Sequence, residues 1–268
     1  MKEVSLSQKL QKMYDDQVYE KGFCEYQNDC IEGLRDKRVK FRFDRVKLGE
    51  RYGKDPRLPK IVCVGLEGKH DKCENLIVQK EIDNPSNTVW NAHYVGVRYV
   101  LAYLLSSFEG KEKPENKFKY TLNNYQDTIK CYALTNIYKC AFGDPNQSSG
   151  LEHSAAMCIN CQKILFREID ILQPDVLIIQ AVDNLPTNFW KNIIKRYGGS
   201  KTPVKGDENK NNTSVYELKY NSGKRFLLVR TYHGNAWRFR GKNYLKQTLN
   251  PVLEATLKKL KEYGFNAD

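Results

Sequence analysis

Four stretches of this chain are apolar at nearly every position: 60–65 (KIVCVG), 129–137 (IKCYALTNI), 175–180 (DVLIIQ) and 225–231 (RFLLVRT). Short continuous apolar runs, rather than alternating ones, predict strands buried on both faces, as in a parallel sheet. A further strand over 215–220 pairs with 225–231 around the turn residues Asn221-Ser222-Gly223. Between these runs the period changes to that of helices. The pattern predicts helices over 1–20, 94–108, 155–172, 188–197 and 241–263, the third stopped by Gln173-Pro174. Strands alternating with helices predict an α/β fold: a central, mainly parallel four-stranded sheet flanked by helices. No repeat or linker divides the chain. It reads as a single domain over 1–268, with a basic, Cys-containing N-terminal extension over about 1–58.

Composition adds a partner and a compartment. Lys and Arg exceed Asp and Glu by 44 to 32, a formal charge of +12, and such a surplus favours a polyanion, most commonly nucleic acid. No apolar run approaches the roughly 18 residues of a membrane span, and Met1 to Tyr14 does not resemble a signal peptide. The expectation is a cytoplasmic protein, monomeric and independent of membranes. In that reducing setting its eight cysteines are metal ligands or small core residues rather than disulfides.

Sites in parallel α/β sheets form at the carboxyl ends of the strands. Three such ends carry groups capable of chemistry. The first is Gly65-Leu66-Glu67-Gly68-Lys69-His70. The second is Thr135-Asn136-Ile137-Tyr138-Lys139-Cys140, and the third is Tyr232-His233-Gly234-Asn235-Ala236-Trp237. Taken singly, each residue has an ordinary packing or capping role. Together they supply an imidazole, a carboxamide and a carboxylate at the ends of three strands.

In this order the three stretches resemble the uracil-DNA glycosylase superfamily, and are most similar to its iron–sulfur branch, family 4. Ile61 to Gly68 resembles the first motif. Tyr94-Val95-Gly96, followed by Tyr99 to Leu105, resembles the family's aromatic-Val-Gly segment and its helix. Thr135 to Cys140 resembles its TN-x-x-KC strand end. Cys161 to Ile169 and Leu172 to Val176 resemble the helix and strand that come next, and Thr231-Tyr232-His233 the last motif. The likeness covers about 30–260.

The resemblance implies an enzyme that flips a damaged or modified base out of DNA and hydrolyses its N-glycosidic bond. His233, Asn136 and Glu67 would be catalytic: the first donating to a base carbonyl, the second reading a pyrimidine edge, the third orienting water, with Asp71 or Glu74 as its fallbacks. Tyr94, Gly65, Gly68 and Asn136 would line the base pocket. Lys69, Lys139, Arg238 and Arg240 would meet phosphates, with Trp237 and Phe239 as wedges.

The family also carries a 4Fe–4S cluster on four cysteines. The likeness assigns Cys140 and Cys161 to the third and fourth positions, with Cys158 as a substitute, and Cys24 and Cys30 to the first pair. Zinc is the alternative occupant. The chain departs from the family in three places. Cys24 and Cys30 are spaced C-x5-C instead of C-x2-C. Gly65-Leu66-Glu67-Gly68-Lys69 lacks the proline of the GE-x-PG motif and carries its carboxylate one position late. Gly234-Asn235 replaces Pro-Ser. Small glycines at both motifs suit a base larger than uracil, such as a modified cytosine, and with it a role in defence against phage. A non-catalytic DNA-binding relative is the other reading, and an unrelated nucleotide hydrolase a third.

Overall fold

A computed structural model describes residues 4–19, 23–41, 45–65, 92–114, 130–143, 153–180, 189–200, 202–206, 213–232 and 243–266. The chain packs as two compact units, each assembled from separate stretches. One comprises Met1–Leu48, Gly65–Val78 and Leu134–Gln173; the other comprises Gly49–Val64, Gln79–Ala133 and Pro174–Asp268.

Eleven strands are formed among the described residues. They are β1 (Val18–Tyr19), β2 (Phe23–Cys24), β3 (Val39–Phe41), β4 (Lys47–Leu48), β5 (Ile61–Gly65), β6 (Tyr132–Asn136), β7 (Ala141–Phe142), β8 (Val176–Gln180), β9 (Lys205–Gly206), β10 (Ser214–Lys219) and β11 (Arg225–Thr231). Seven of them make one mixed sheet in the order β4-β6-β5-β8-β11-β10-β9. β5 and β11 both run parallel to β8, whereas β10 runs antiparallel to β11 and β9 to β10. This corrects the expected four-stranded sheet. The four apolar runs are all in it, as β5, β6, β8 and β11. The additional strands include Lys47-Leu48 and Lys205-Gly206, two residues each, too short and too polar to register as a hydrophobic pattern.

In the first unit, α1 (Leu6–Asp15) starts at a capping box. The Ser5 hydroxyl accepts from the Gln8 N–H at 3.2 Å, and the Gln8 side chain accepts from the Ser5 N–H at 2.9 Å. Its buried face is Leu10, Met13 and Tyr14. A short helix, α2 (Gln27–Glu32), follows the β1–β2 hairpin, and β3 pairs with β7. The long helix α4 (Ala155–Leu172) is capped by Ser154, whose hydroxyl accepts from Met157 N–H at 3.1 Å. It ends where Gln173 turns left-handed (φ 47°) and Pro174 cannot continue it.

In the second unit, β5, β8 and β11 are buried at almost every position. Helix α3 (Ala92–Ser106) is buried from Gly96 to Leu105. It packs on α6 (Asn250–Glu262), with Tyr99 Oη donating to Asn250 Oδ1 at 2.8 Å and Tyr103 Oη to Glu254 Oε1 at 2.6 Å. Helix α5 (Phe189–Tyr197) buries Phe189, Ile193, Ile194 and Tyr197. The predicted helix over 241–263 is divided. A wider π-helical turn, Tyr244–Leu249, precedes α6, and the Asn250 N–H bonds to Leu245 O, five residues back. Pro251 is the physical reason: its ring has no N–H and crowds the carbonyl four residues earlier, so the turn before it widens.

The approach to this sheet includes one close backbone contact. Gly49 N–H donates to Tyr132 O at 2.9 Å and Arg51 N–H to Lys130 O at 3.2 Å. A Cβ on Gly49 would run into the Lys130 carbonyl. Gly49→Ala is expected to destabilise by about 1–3 kcal/mol, measured as a lower urea midpoint. An unchanged midpoint would show that this backbone yields without cost.

Candidate functional site

The first unit gathers four thiols that are far apart in sequence. Cys24 closes β2 and Cys30 lies in α2. Cys140 immediately precedes β7, and Cys161 sits in the second turn of α4. All four are buried, free of disulfides, and line one cavity together with Gln27, Phe142 and Met157. The cavity holds about 260 Å³ of atom-free space. Ser154 helps to set its walls: besides capping α4, its hydroxyl donates to Cys30 O at 2.7 Å, tying the helix start to α2. The wide C-x5-C spacing has a local explanation. The five residues between Cys24 and Cys30 form a turn and the first turn of α2, where Cys30 N–H bonds to Tyr26 O.

Two of the sulfurs already accept N–H bonds, Cys161 from Lys139 N at 3.4 Å and Cys30 from Asn160 Nδ2 at 3.8 Å. Burial pushes the Cys30 thiol up to about 11 and the Cys161 thiol up to about 12, and raises Cys24 and Cys140 as well. For Cys140 the neighbouring cysteines add to the effect of burial. These are thiols that ionise when a cation takes the proton's place. Cys158 is turned elsewhere, its sulfur accepting from Gln162 Nε2 at 3.1 Å, and it does not line the cavity. Cys63 is fully buried within β5. Among the described residues, no three His, Cys, Asp or Glu side chains are set to hold a single metal ion.

Beside this cavity lies a buried polar network that sequence reading missed. Glu168, on α4, and Lys139 are both fully buried and ion-paired at 2.6 Å. Thr135 Oγ1 donates to Glu168 Oε2 at 2.7 Å and accepts from Lys139 Nζ at 2.5 Å. Tyr14 Oη, from α1, donates to Glu168 Oε1 at 2.6 Å and accepts from Val46 N–H at 2.9 Å. A signal was present: Glu168 falls seven residues after Cys161, on the same inward face of α4. The network corrects one expectation. Lys139 is not a phosphate contact, because its ammonium is sealed from solvent and neutralised by Glu168.

Of the residues expected to handle a base, Gly65 and Asn136 come together. They end β5 and β6, and Ile137 N–H bonds to Gly65 O at 2.9 Å. Asn136 is buried there. Tyr94 lies in the first turn of α3, in the other unit. Glu67, Gly68, Lys69, Asp71, Glu74, His233, Trp237, Arg238, Phe239 and Arg240 lie outside the described residues.

The second unit carries two further polar groups at strand ends. Arg230, in β11, is buried with its guanidinium 4.3 Å from the Trp190 ring, and its Nη1 donates to Tyr216 Oη at 3.3 Å. Burial lowers its pKa. Gln180, the last residue of β8, is wholly buried, and neither its amide nitrogen nor its amide oxygen has a hydrogen-bond partner among the described residues. No helix among the described residues is long and apolar enough to cross a membrane. No protein-family model matches the chain, and no curated protein matches it.

Proposed function

We propose that this chain is a DNA glycosylase of the uracil-DNA glycosylase type, with a 4Fe–4S cluster on Cys24, Cys30, Cys140 and Cys161. It extrudes uracil or a larger modified pyrimidine from DNA and hydrolyses its N-glycosidic bond. The observation that carries the proposal is the single cavity lined by those four thiols. It suits a multi-atom cluster better than one zinc ion about 2.3 Å from each sulfur, since the groups are not set for a single ion. The N–H bonds to Cys30 and Cys161 are the kind of contact that supports a cluster sulfur. Bound there, the cluster is structural, tying β2, α2 and α4 to the segment that follows Asn136.

The chain's own residues then divide the chemistry. Cleavage leaves positive charge on the sugar and negative charge on the departing base, so donors aimed at the base lower the barrier. His233 donates to a base carbonyl. Asn136, held at the end of β6 beside Gly65, offers two donors and an acceptor to the base edge. Tyr94 stacks on the ring, and Glu67 orients the attacking water. The +12 charge supports phosphate binding, which weakens with salt. A cytoplasmic monomer acting in repair or phage defence fits this reading.

The test is a panel of DNAs bearing uracil, hypoxanthine or modified cytosines, incubated with the protein and treated with alkali. Strand breaks are expected in at least one lane. Asn136→Ala and His233→Ala should each slow base release by about 100-fold or more while leaving the melting midpoint near wild type. A second reading, a DNA-binding relative without activity, is favoured by one feature: the first motif lacks its proline and carries Glu67 one position late. Salt-sensitive DNA binding with no breaks in any lane would select it.

A further inference from the structure

Gln180 is out of character with its strand. The four residues before it in β8, Val176-Leu177-Ile178-Ile179, are apolar and fully buried, and a fifth apolar residue would complete the run. The chain instead places a carboxamide there, at 0% exposure, with two donors and an acceptor unbonded among the described residues. A buried amide without partners costs stability, and each such group in a folded protein calls for an explanation. Its position supplies one. Gln180 ends a strand flanked by parallel neighbours, where α/β sheets bind ligands. Its register partner across β11 is Thr231, so the two side chains share a face of the sheet. The Thr231 hydroxyl donates to Tyr232 O and leaves Gln180 unserved. Thr231 is also two residues before His233 in the chain.

We propose that Gln180 is a substrate-reading residue whose carboxamide pairs with an amide-like edge, a carbonyl beside an N–H, on the base that His233 polarises. This assignment rests on the glycosylase reading above and extends it: the target base presents a uracil-type edge to β8. Both bonds are made in one plane, with the Gln180 amide donating to the carbonyl and its oxygen accepting from the ring N–H.

The experiment uses the full chain as wild type, Gln180→Leu and Gln180→Glu. Three quantities are read: the melting midpoint alone, its shift with free uracil, and single-turnover base release from a uracil-containing oligonucleotide. For Gln180→Leu the midpoint should equal or exceed wild type, because a costly polar group has gone. Base release should fall at least about tenfold and the uracil shift should vanish. Gln180→Glu, which loses both donors, should also lose at least about tenfold in release. Gln180→Leu releasing uracil at the wild-type rate overturns the assignment and leaves the glycosylase reading standing. A clear fall in its midpoint also overturns it, marking Gln180 as a structural amide. If wild type releases no base from any DNA and uracil shifts no midpoint, the glycosylase reading has failed and this role falls with it.

Discussion

Cys161→Ser should strip the protein of its iron and unfold much of the first unit, whereas Cys158→Ser, three residues earlier, should do neither. The two residues share one helix, but only Cys161 lines the four-thiol cavity. Cys158 spends its sulfur on Gln162. Structural metal sites contribute on the order of 10 kcal/mol to folding, as much as the whole stability of an ordinary domain. Losing one of four ligands therefore threatens the fold itself. Cys63→Ala serves as a second control, because a small buried thiol in β5 should cost only about 1 kcal/mol with no loss of iron. Iron and sulfide analysis, visible absorbance and urea denaturation check all three variants. Wild type without iron, or a Cys161→Ser variant that keeps it, would end the cluster assignment.

Lys139→Met should cost about 3–5 kcal/mol, the second-largest effect expected from one side chain. The substitution leaves the Glu168 carboxylate in a fully buried site with only the hydroxyls of Tyr14 and Thr135 to bond it. Adding Glu168→Gln removes the stranded charge while keeping an acceptor for both hydroxyls. The double variant should therefore recover at least half of the loss. Urea midpoints around the double-mutant cycle measure the coupling, and because the pair is sealed from solvent the result should be nearly independent of salt. A loss below about 1 kcal/mol would place the pair with exposed ion pairs, against its burial.

The strands that form the centre of the sheet were legible because burial on both faces demands apolar residues throughout. Arg225–Thr231 and Ala155–Leu172 match their predicted limits, and β8 differs by one residue. What escaped was set by backbone partners or single atoms. β9 exists because Gly206 and Lys205 can lie against Ser214 and Val215, a property of two residues with no pattern of their own. The π-helical turn before α6 depends on the missing N–H of Pro251. Glu168 read as one more residue of a helix, since its partners Tyr14 and Lys139 lie 154 and 29 positions away. Gln180 read as the polar end of a strand, because an orphaned amide is visible only once its surroundings are known. The four cysteines could be picked from eight by likeness to a family. Their lining a common cavity is a three-dimensional fact.

The first unit is built from stretches that the ribosome delivers at different times. Cys24 and Cys30 emerge early, but Cys140 and Cys161 belong to a stretch beginning at Leu134. At ordinary elongation rates the first pair of thiols waits roughly ten seconds for the second. Tyr14, buried against Glu168, waits as long. The N-terminal helix therefore cannot settle during synthesis, and delivery of iron must follow release of most of the chain.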